Sequence, residues 1–329
     1  MNGRKERNSA LDLIRVVATV FMIKLHTRYD GFVSEIIHYM CGSAIPLFLM
    51  VSGAVTLACH DEVSKRYIFN RILRILKIIG IWALIFSIVE MIQTKELCNP
   101  VTLLLGSFVQ KGWLSHFWYL WSLMVLYILA PFLKKLLTGN TKCFVVGGLL
   151  VICTIVYTSS LILGYFNGEI FENKLPQFSR LYIHITYFVI GAIIYSEREA
   201  FGNIDNNILG LITVLLWVTN AFLQCIISNR VFRLHSPEYS FSSIIQIIVN
   251  TSIFVAILNL KMKNRGNIIK RLSKYSFGAY IIHVLMIAIV NKISPYCFWA
   301  LQYIIVLVLS YLGSAIANSV PIIKRTVEL

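Results

Sequence analysis

Two side chains in the first apolar run are of types that rarely occur inside a membrane helix without a function. Arg15 and His26 are eleven residues apart. In an α-helix this separation is about 16 Å of rise and about 20° of rotation, so both side chains project from one face at different depths. Arg15 could attract a phosphate or hold an acyl carbonyl, and a neutral His26 could accept the proton of an alcohol. The simpler interpretations are a snorkelling arginine and an interfacial histidine without a chemical role.

Two acidic residues could act with this pair. Asp12 stands three residues after Ser9, which fits a capping box at the helix start, and it is also placed to pair with Arg15 one turn on. Glu90 lies near the outer end of the third predicted helix, where its carboxylate could orient His26. The catalytic candidates are therefore His26, Arg15 and Glu90, and a structural role is favoured for Asp12.

A basic cluster follows the second predicted helix and consists of Lys65, Arg66, Arg71, Arg74 and Lys77. Arg71 and Arg74 fall on one helical face, where they could grip a nucleotide phosphate. The competing interpretation is binding of anionic lipid.

The fourth predicted helix opens with an aromatic run that includes His116, Trp118 and Tyr119. These residues predict either an aromatic belt at the outer interface or part of a sugar-binding surface. The ninth predicted helix carries His283. If that helix begins at residue 277, His283 lies too far inward to act on the same alcohol as His26.

The composition determines the environment that must position these residues. The chain of 329 residues is 57% hydrophobic and 14% charged, with a mean hydropathy of +0.74. Repeated apolar runs of roughly 17 to 22 residues are each long enough to cross a bilayer. We expect an all-α, polytopic membrane protein in which residues 1–329 form a single transmembrane domain. The predicted helices lie near 10–27, 39–58, 71–92, 116–133, 143–163, 181–196, 207–227, 239–260, 277–294 and 299–318.

The basic residues indicate the orientation of the chain. The net charge of +15 comes from short clusters between apolar runs, which is typical of topology signals and not of a nucleic-acid surface. Both ends are predicted to be cytoplasmic, with the basic segment 1–7 leading into a retained first helix in a bacterial plasma membrane. An outer run, 101–109, is predicted to be re-entrant or interfacial. The seven scattered cysteines predict neither a disulfide framework nor a metal site.

Together these segments resemble the membrane-bound acyltransferase family 3. The family's first helix carries an arginine, ten intervening residues and a histidine, matched here by Arg15 and His26. Three further blocks look like the family in the same order, at 46–53, 116–131 and 276–283. The basic motif differs, because the family has an adjacent arginine pair where this chain has Asn70 before Arg71.

The resemblance implies transfer of an acyl group, usually acetyl from cytoplasmic acetyl-coenzyme A, to a hydroxyl of a cell-surface glycan or lipid-linked acceptor. It implies that His26 is the general base, that the coenzyme contacts Arg15, Arg71, Arg74 and Ser276, and that His116, Trp118 and Tyr119 contact the acceptor. Direct transfer and a route through acetylated His26 remain open. The remaining partners are membrane lipids, and a homo-oligomer is compatible with the sequence.

A transporter of a glycan or amino acid is the alternative, with Arg15 and His26 as intramembrane substrate or proton sites. The membrane half of vancomycin-resistance serine racemases looks similar to this chain and belongs to that alternative. A scaffold explains an intramembrane Arg15 poorly, because nothing in a scaffold requires its solvation cost.

Overall fold

The computed structural model describes residues 8–139, 141–168, 170, 172, 175–232, 237–260, 262 and 266–327. These residues form helices and connecting loops, without a strand among them. The predicted basic segment 1–7 lies outside the described residues. The helices are α1 (Ser9–His26), α2 (Phe32–Cys41), α3 (Ala44–Gly53), α4 (Lys65–Thr94), α5 (Pro100–Phe108), α6 (Trp118–Leu136), α7 (Thr141–Asn167), α8 (Leu181–Ser196), α9 (Arg198–Phe201), α10 (Asn206–Ile227), α11 (Ile244–Leu258), α12 (Gly266–Ile293), α13 (Trp299–Ser319) and α14 (Pro321–Val327).

Each predicted membrane segment falls on one or more of these helices. Among the described residues, seven helical stretches are long and apolar enough to cross a membrane, and α8 and α11 are shorter apolar helices. Helix α1 is 18 residues long and carries three charged side chains, Asp12, Arg15 and Lys24. The prediction of an all-α, polytopic membrane protein is confirmed. The predicted outer run 101–109 is largely helical, since α5 covers all of it but its last residue.

The second predicted helix, 39–58, is not one continuous helix, because α2 ends at Cys41 and α3 begins at Ala44. Pro46 has no N–H to donate to the carbonyl of Gly42, and α2 ends just before that residue. Because α3 begins at Ala44, Pro46 lies in its first turn, where no backbone donor is needed. Pro46 therefore marks the start of a helix. At its other end α3 continues into a π-helical turn, Ala54–Ala58.

Helix α12 begins eleven residues before the predicted residue 277. The polar stretch before residue 277, including Lys270 and Lys274, is its first part, and both lysines are exposed. Each later residue of α12 therefore lies about 16 Å further from the start of the helix than the predicted boundary placed it. The prediction that His283 lies too far inward to work with His26 is wrong for this reason.

Helix α1 occupies the centre of the bundle. It packs against α3 on one side and α12 on another, with α2, α11 and α13 also in contact. Ile14, Ala18 and Ile23 are completely buried in these contacts. Its polar side chains therefore face other helices and the spaces between them.

Two glycines allow α3 and α8 to cross at very short range. A Cβ atom at Gly53 would lie 1.8 Å from the carbonyl oxygen of Phe188, and one at Gly191 would lie 2.2 Å from that of Met50. Such approaches between backbones are typical of membrane helices, where small residues permit van der Waals packing. This crossing fixes α3, whose last turns form a wall of the cavity described below.

We predict that Gly53→Ala or Gly191→Ala separates α3 from α8 and costs about 1–3 kcal/mol of stability, the usual cost of overpacking. Thermal unfolding in detergent measures the effect. Gly148→Ala on α7 is the matched control, because nothing lies within 4 Å of a Cβ there. Equal melting temperatures for all three variants would contradict the close crossing.

A buried carboxylate joins the loops at the end of the bundle that is predicted to be outside. Ser160 and Ser242 donate hydrogen bonds to the Glu172 carboxylate, the second over 3.2 Å. Arg180 Nη2 donates to the Glu172 carbonyl oxygen at 2.6 Å, and its Nη1 lies 3.7 Å from Glu238 Oε2. Burial raises the pKa of Glu172, and these hydrogen bonds only partly offset it.

Because the folded state raises this pKa, it binds the proton of Glu172 more tightly than the unfolded chain does. The stabilisation is present at low pH and is lost as the pH rises through the folded pKa. We predict that Glu172→Gln is at least as stable as the wild type at pH 7.5. As the pH falls, the stability of the variant should increase less than that of the wild type. Melting temperatures across this range test it, with the exposed Glu197→Gln as control. A wild type that gains stability relative to Glu172→Gln as pH rises would contradict the raised pKa.

Candidate functional site

A cavity of about 390 Å³ lies between α1, α3, α4, α6 and α12. Four basic side chains line it, which are Arg15, Arg71, Arg74 and Lys274. The remaining polar lining consists of hydroxyl groups, from Ser52, Thr56, Tyr119, Tyr127, Ser273, Ser276 and Tyr280. Among the described residues no Asp or Glu lines the cavity, so its field favours an anion.

Arg15 is held in this cavity by a carboxylate on its own helix. Arg15 Nη1 donates to Asp12 Oδ1 at 2.8 Å, and Ser273 Oγ donates to the same oxygen at 2.9 Å. Asp12 is completely buried, whereas the Arg15 side chain is about one-third exposed. The helix is capped by Asn8, whose side chain accepts from the Ala10 N–H. The capping-box interpretation of Asp12 is therefore wrong, and Asp12 orients Arg15.

Three of the cations come from outside α1. Arg71 and Arg74 both reach the cavity from α4, and the Arg71 guanidinium lies 5.2 Å from the centre of the Tyr67 ring. Lys274 comes from the part of α12 that the sequence placed in a loop. A helix boundary drawn from hydrophobicity leaves Lys274 outside the helix. The spacing of Lys274, Phe277 and Tyr280, three residues from one to the next, nevertheless places them on one helical face.

Two predicted contact residues line this cavity from facing helices. Ser276 lies within hydrogen-bonding distance of the Tyr311 hydroxyl at 3.0 Å, and Tyr119 lies 3.3 Å from Ser52 Oγ. Ser276 lines the cavity together with Arg15, Arg71 and Arg74, and its contact with a coenzyme stays a prediction. Tyr119 was predicted on an outer, acceptor-binding surface, but it shares this cavity with Arg15.

Three histidines from three helical segments lie close together next to the cavity. The His283 ring lies 5.0 Å from the His26 ring and 5.0 Å from the His116 ring, measured between centroids. His26 is exposed, while His116 and His283 are buried. Tyr280 separates this histidine cluster from the cavity, because it lines the cavity and its ring stacks 6.2 Å from that of His283.

The tautomer of His283 follows from its backbone contact. Its Nδ1 lies 2.5 Å from the Tyr280 carbonyl oxygen, and a carbonyl can only accept, so Nδ1 carries the proton. The neutral ring then presents a lone pair at Nε2. That atom is buried without a hydrogen-bond partner among the described residues, and neither ring nitrogen of His116 makes a well-formed hydrogen bond there, although the backbone of Trp113 and of Ile281 lies close to that ring. Buried polar atoms without partners are costly, and their concentration beside His26 indicates a functional site.

The aromatic run at the start of α6 does not form the predicted belt. Trp118 is buried and its ring stacks 5.7 Å from His184, while the Tyr280 hydroxyl donates to the His116 carbonyl oxygen at 2.5 Å. Belt residues face lipid headgroups, so this packing excludes that interpretation for His116, Trp118 and Tyr119. Of these three, His116 belongs to the histidine cluster and Trp118 packs against His184.

Glu90 was predicted to orient His26, and the structure does not bring the two together. The Glu90 carboxylate accepts a hydrogen bond from the Cys98 thiol at 2.9 Å. The side chain beside His26 is His283. In the residues that the structure describes, no three His, Cys, Asp or Glu side chains are arranged to hold a metal ion.

The family model of an acyltransferase domain, that of acyltransferase family 3, matches residues 8–318. This match covers nearly the whole chain and includes the cavity and all three histidines. No curated protein matches the chain, and no solved structure does.

We predict that the two ends of this site open to opposite sides of the membrane. In a chain whose native cysteines are replaced, His26→Cys should react with an impermeant maleimide added outside, and Ser52→Cys with the same reagent added to inverted vesicles. The fully buried Ser310→Cys is the control that should react from neither side. Labelling of both positions from the same side would contradict the arrangement.

Proposed function

Because the chain belongs to the membrane acyltransferase family 3, we propose that it transfers an acyl group, acetyl in the first instance, from cytoplasmic acetyl-coenzyme A to a hydroxyl of a cell-envelope glycan or lipid-linked acceptor. The observation that carries this proposal is one cavity with four cations and no Asp or Glu in its lining, which ends at a tyrosine stacked on the histidine cluster. A cavity of this charge fits a polyanionic donor.

The donor site is the cation-lined cavity. A coenzyme presents phosphates at one end and a thioester at the other, joined by the pantetheine arm. Arg71, Arg74 and Lys274 are suited to the phosphates, since charge-assisted hydrogen bonds to phosphate are among the stronger polar contacts in proteins. The hydroxyl groups of Ser52, Tyr119 and Ser276 provide polar partners along the arm.

The distance along α1 fits the length of this donor. Arg15 and His26 are about 16 Å apart in helical rise, comparable to an extended pantetheine arm. With its phosphates at the basic end, the donor directs its thioester towards Tyr280 and the histidines. Arg15, fixed by Asp12, is placed to contact the donor where the phosphates meet the arm.

His26 is the proposed general base because it is the accessible member of the histidine cluster. The acceptor hydroxyl gives its proton to His26 while its oxygen attacks the thioester carbon. The C–S bond then breaks, and the leaving thiolate takes the proton from His26. His283 is a positioning residue in this scheme: its Nε2 lone pair faces no donor in the described residues and can accept the N–H of His26, which leaves the other nitrogen of His26 basic.

A two-step route uses the same residues. The His26 nitrogen attacks the thioester carbon, the thiolate leaves, and the acceptor hydroxyl then attacks the acyl-imidazole with loss of its proton to solvent. The two routes differ in whether an acylated protein forms in the absence of acceptor. Mass spectrometry of the protein after mixing with acetyl-coenzyme A distinguishes them.

We predict that wild-type protein in nanodiscs binds acetyl-coenzyme A and slowly hydrolyses it without an acceptor. His26→Ala should retain binding and lose about 10²- to 10⁴-fold in turnover, the usual contribution of a general base. Arg15→Ala should weaken binding about tenfold or more, since a charged hydrogen bond is lost. Equilibrium binding and thiol release measure the two effects.

Glu90→Gln is the matched control, because its carboxylate bonds to Cys98 away from the histidines. His283→Asn should shift the pH profile of turnover with little change in binding, which a purely structural role would not do. If folded wild type neither binds nor turns over acetyl-coenzyme A, the donor assignment is overturned. Solute transport is then the function to test.

A further inference from the structure

A second, larger opening lies beside the cation-lined cavity, between α4 and the C-terminal helix α14. Its volume is about 560 Å³. The residues that form it on α4 include Leu73, Arg74, Lys77 and Ile81, and those on α14 are Arg325 and Thr326. We call this opening the α4–α14 groove. Nothing in the mechanism above uses Lys77 or Arg325.

The groove is continuous with the cavity through one side chain. Arg74 lines both spaces, whereas Arg71 lines only the cavity and Lys77 only the groove. Steps of three residues along a helix add about 4.5 Å of rise and turn the side chain by about 60°. The three cations therefore form a curved row that leads around α4 from one space into the other.

Packing of α14 fixes the far wall of the groove. Trp82 Nε1 donates to Thr326 Oγ1 at 3.2 Å, and both side chains are buried. Val327, completely buried, reaches Gly278 on α12. These contacts anchor α14 and hold the Arg325 backbone across from Lys77.

Two of the basic side chains in the groove, Lys77 and Arg325, have no counter-ion among the described residues. Lys77 and Arg325 are exposed, and neither forms an ion pair with an acidic side chain that the structure describes, unlike Arg15 and Lys142. No Asp or Glu of the part of the chain that the structure describes lines the groove. Several positive charges facing one space raise the local concentration of anions, and a phosphate can bridge lysine and arginine donors.

We propose that the α4–α14 groove is a second phosphate-binding site, in which Lys77 and Arg325 hold a phosphate group and Arg74 connects it to the cavity. Two sources supply this chemistry. One is the 3′-phosphate of the coenzyme, in which case the proposal rests on the proposed function. The other is the headgroup of an anionic phospholipid, whose acyl chain would lie against Leu73 and Ile81.

The coenzyme arm compares acetyl-coenzyme A with acetyl-dephospho-coenzyme A, which lacks only the 3′-phosphate. Wild type in nanodiscs should bind the dephospho form about tenfold or more weakly. Lys77→Gln and Arg325→Gln should weaken binding of acetyl-coenzyme A and leave the dephospho form unchanged, so that the discrimination disappears. Lys135→Gln, an exposed basic residue outside both spaces, is the control.

The lipid arm needs no coenzyme. The rise in melting temperature on changing from phosphatidylcholine nanodiscs to nanodiscs that also contain phosphatidylglycerol is measured for the same variants. Loss of this rise in Lys77→Gln and Arg325→Gln, with unchanged coenzyme discrimination, identifies lipid phosphate as the ligand. If both variants match Lys135→Gln in both arms, the groove is not a phosphate site. A wild type that binds neither donor contradicts the proposed function alone, since the lipid arm still tests the groove.

Discussion

A guanidinium inside a lipid bilayer must have either a counter-charge or access to water, and much of this structure follows from meeting that requirement for Arg15. Burial of a charge in hydrocarbon costs several kcal/mol when it is unpaired. Asp12 supplies the counter-charge one turn away, and Ser273 of α12 completes the hydrogen bonds of that carboxylate. The cavity supplies the access. Helix α1 can therefore lie at the centre of the bundle while it carries charges that lipid would exclude.

The walls of a polar cavity in a membrane bundle must be held by close packing and polar contacts, because apolar helix faces gain no hydrophobic free energy when they leave lipid. Here the close crossing at Gly53 and Gly191 fixes α3 against α8, and the π-helical turn after Gly53 carries Thr56 into the cavity wall. Extra residues in a helical turn are frequent at functional sites. The wall that bears Ser52 and Thr56 is thus held in place by backbone contact on its opposite side.

The arrangement of charges separates two tasks along α1. Cations gather around the basic end, where the groups from α4 and α12 converge on Arg15. The other end has three imidazoles, of which only that of His26 is exposed. Tyr280 lies between them and contacts both groups. The donor proposed above, with an anionic head and an uncharged reactive end, has its groups in this order.

Residues close together in the chain were predicted well from the sequence. The apolar runs established a membrane protein and nearly every helix, and the spacing of Arg15 and His26 placed them on one face, because hydropathy and helical periodicity are local properties. The tertiary structure decided which other residues join them: His283 in place of Glu90 beside His26, Lys274 beside Arg15, and Tyr119 inside the cavity. Hydropathy could not supply these contacts, since all apolar helix faces are equivalent in lipid. Their pairing depends instead on close backbone approach and on polar contacts between residues far apart in the chain.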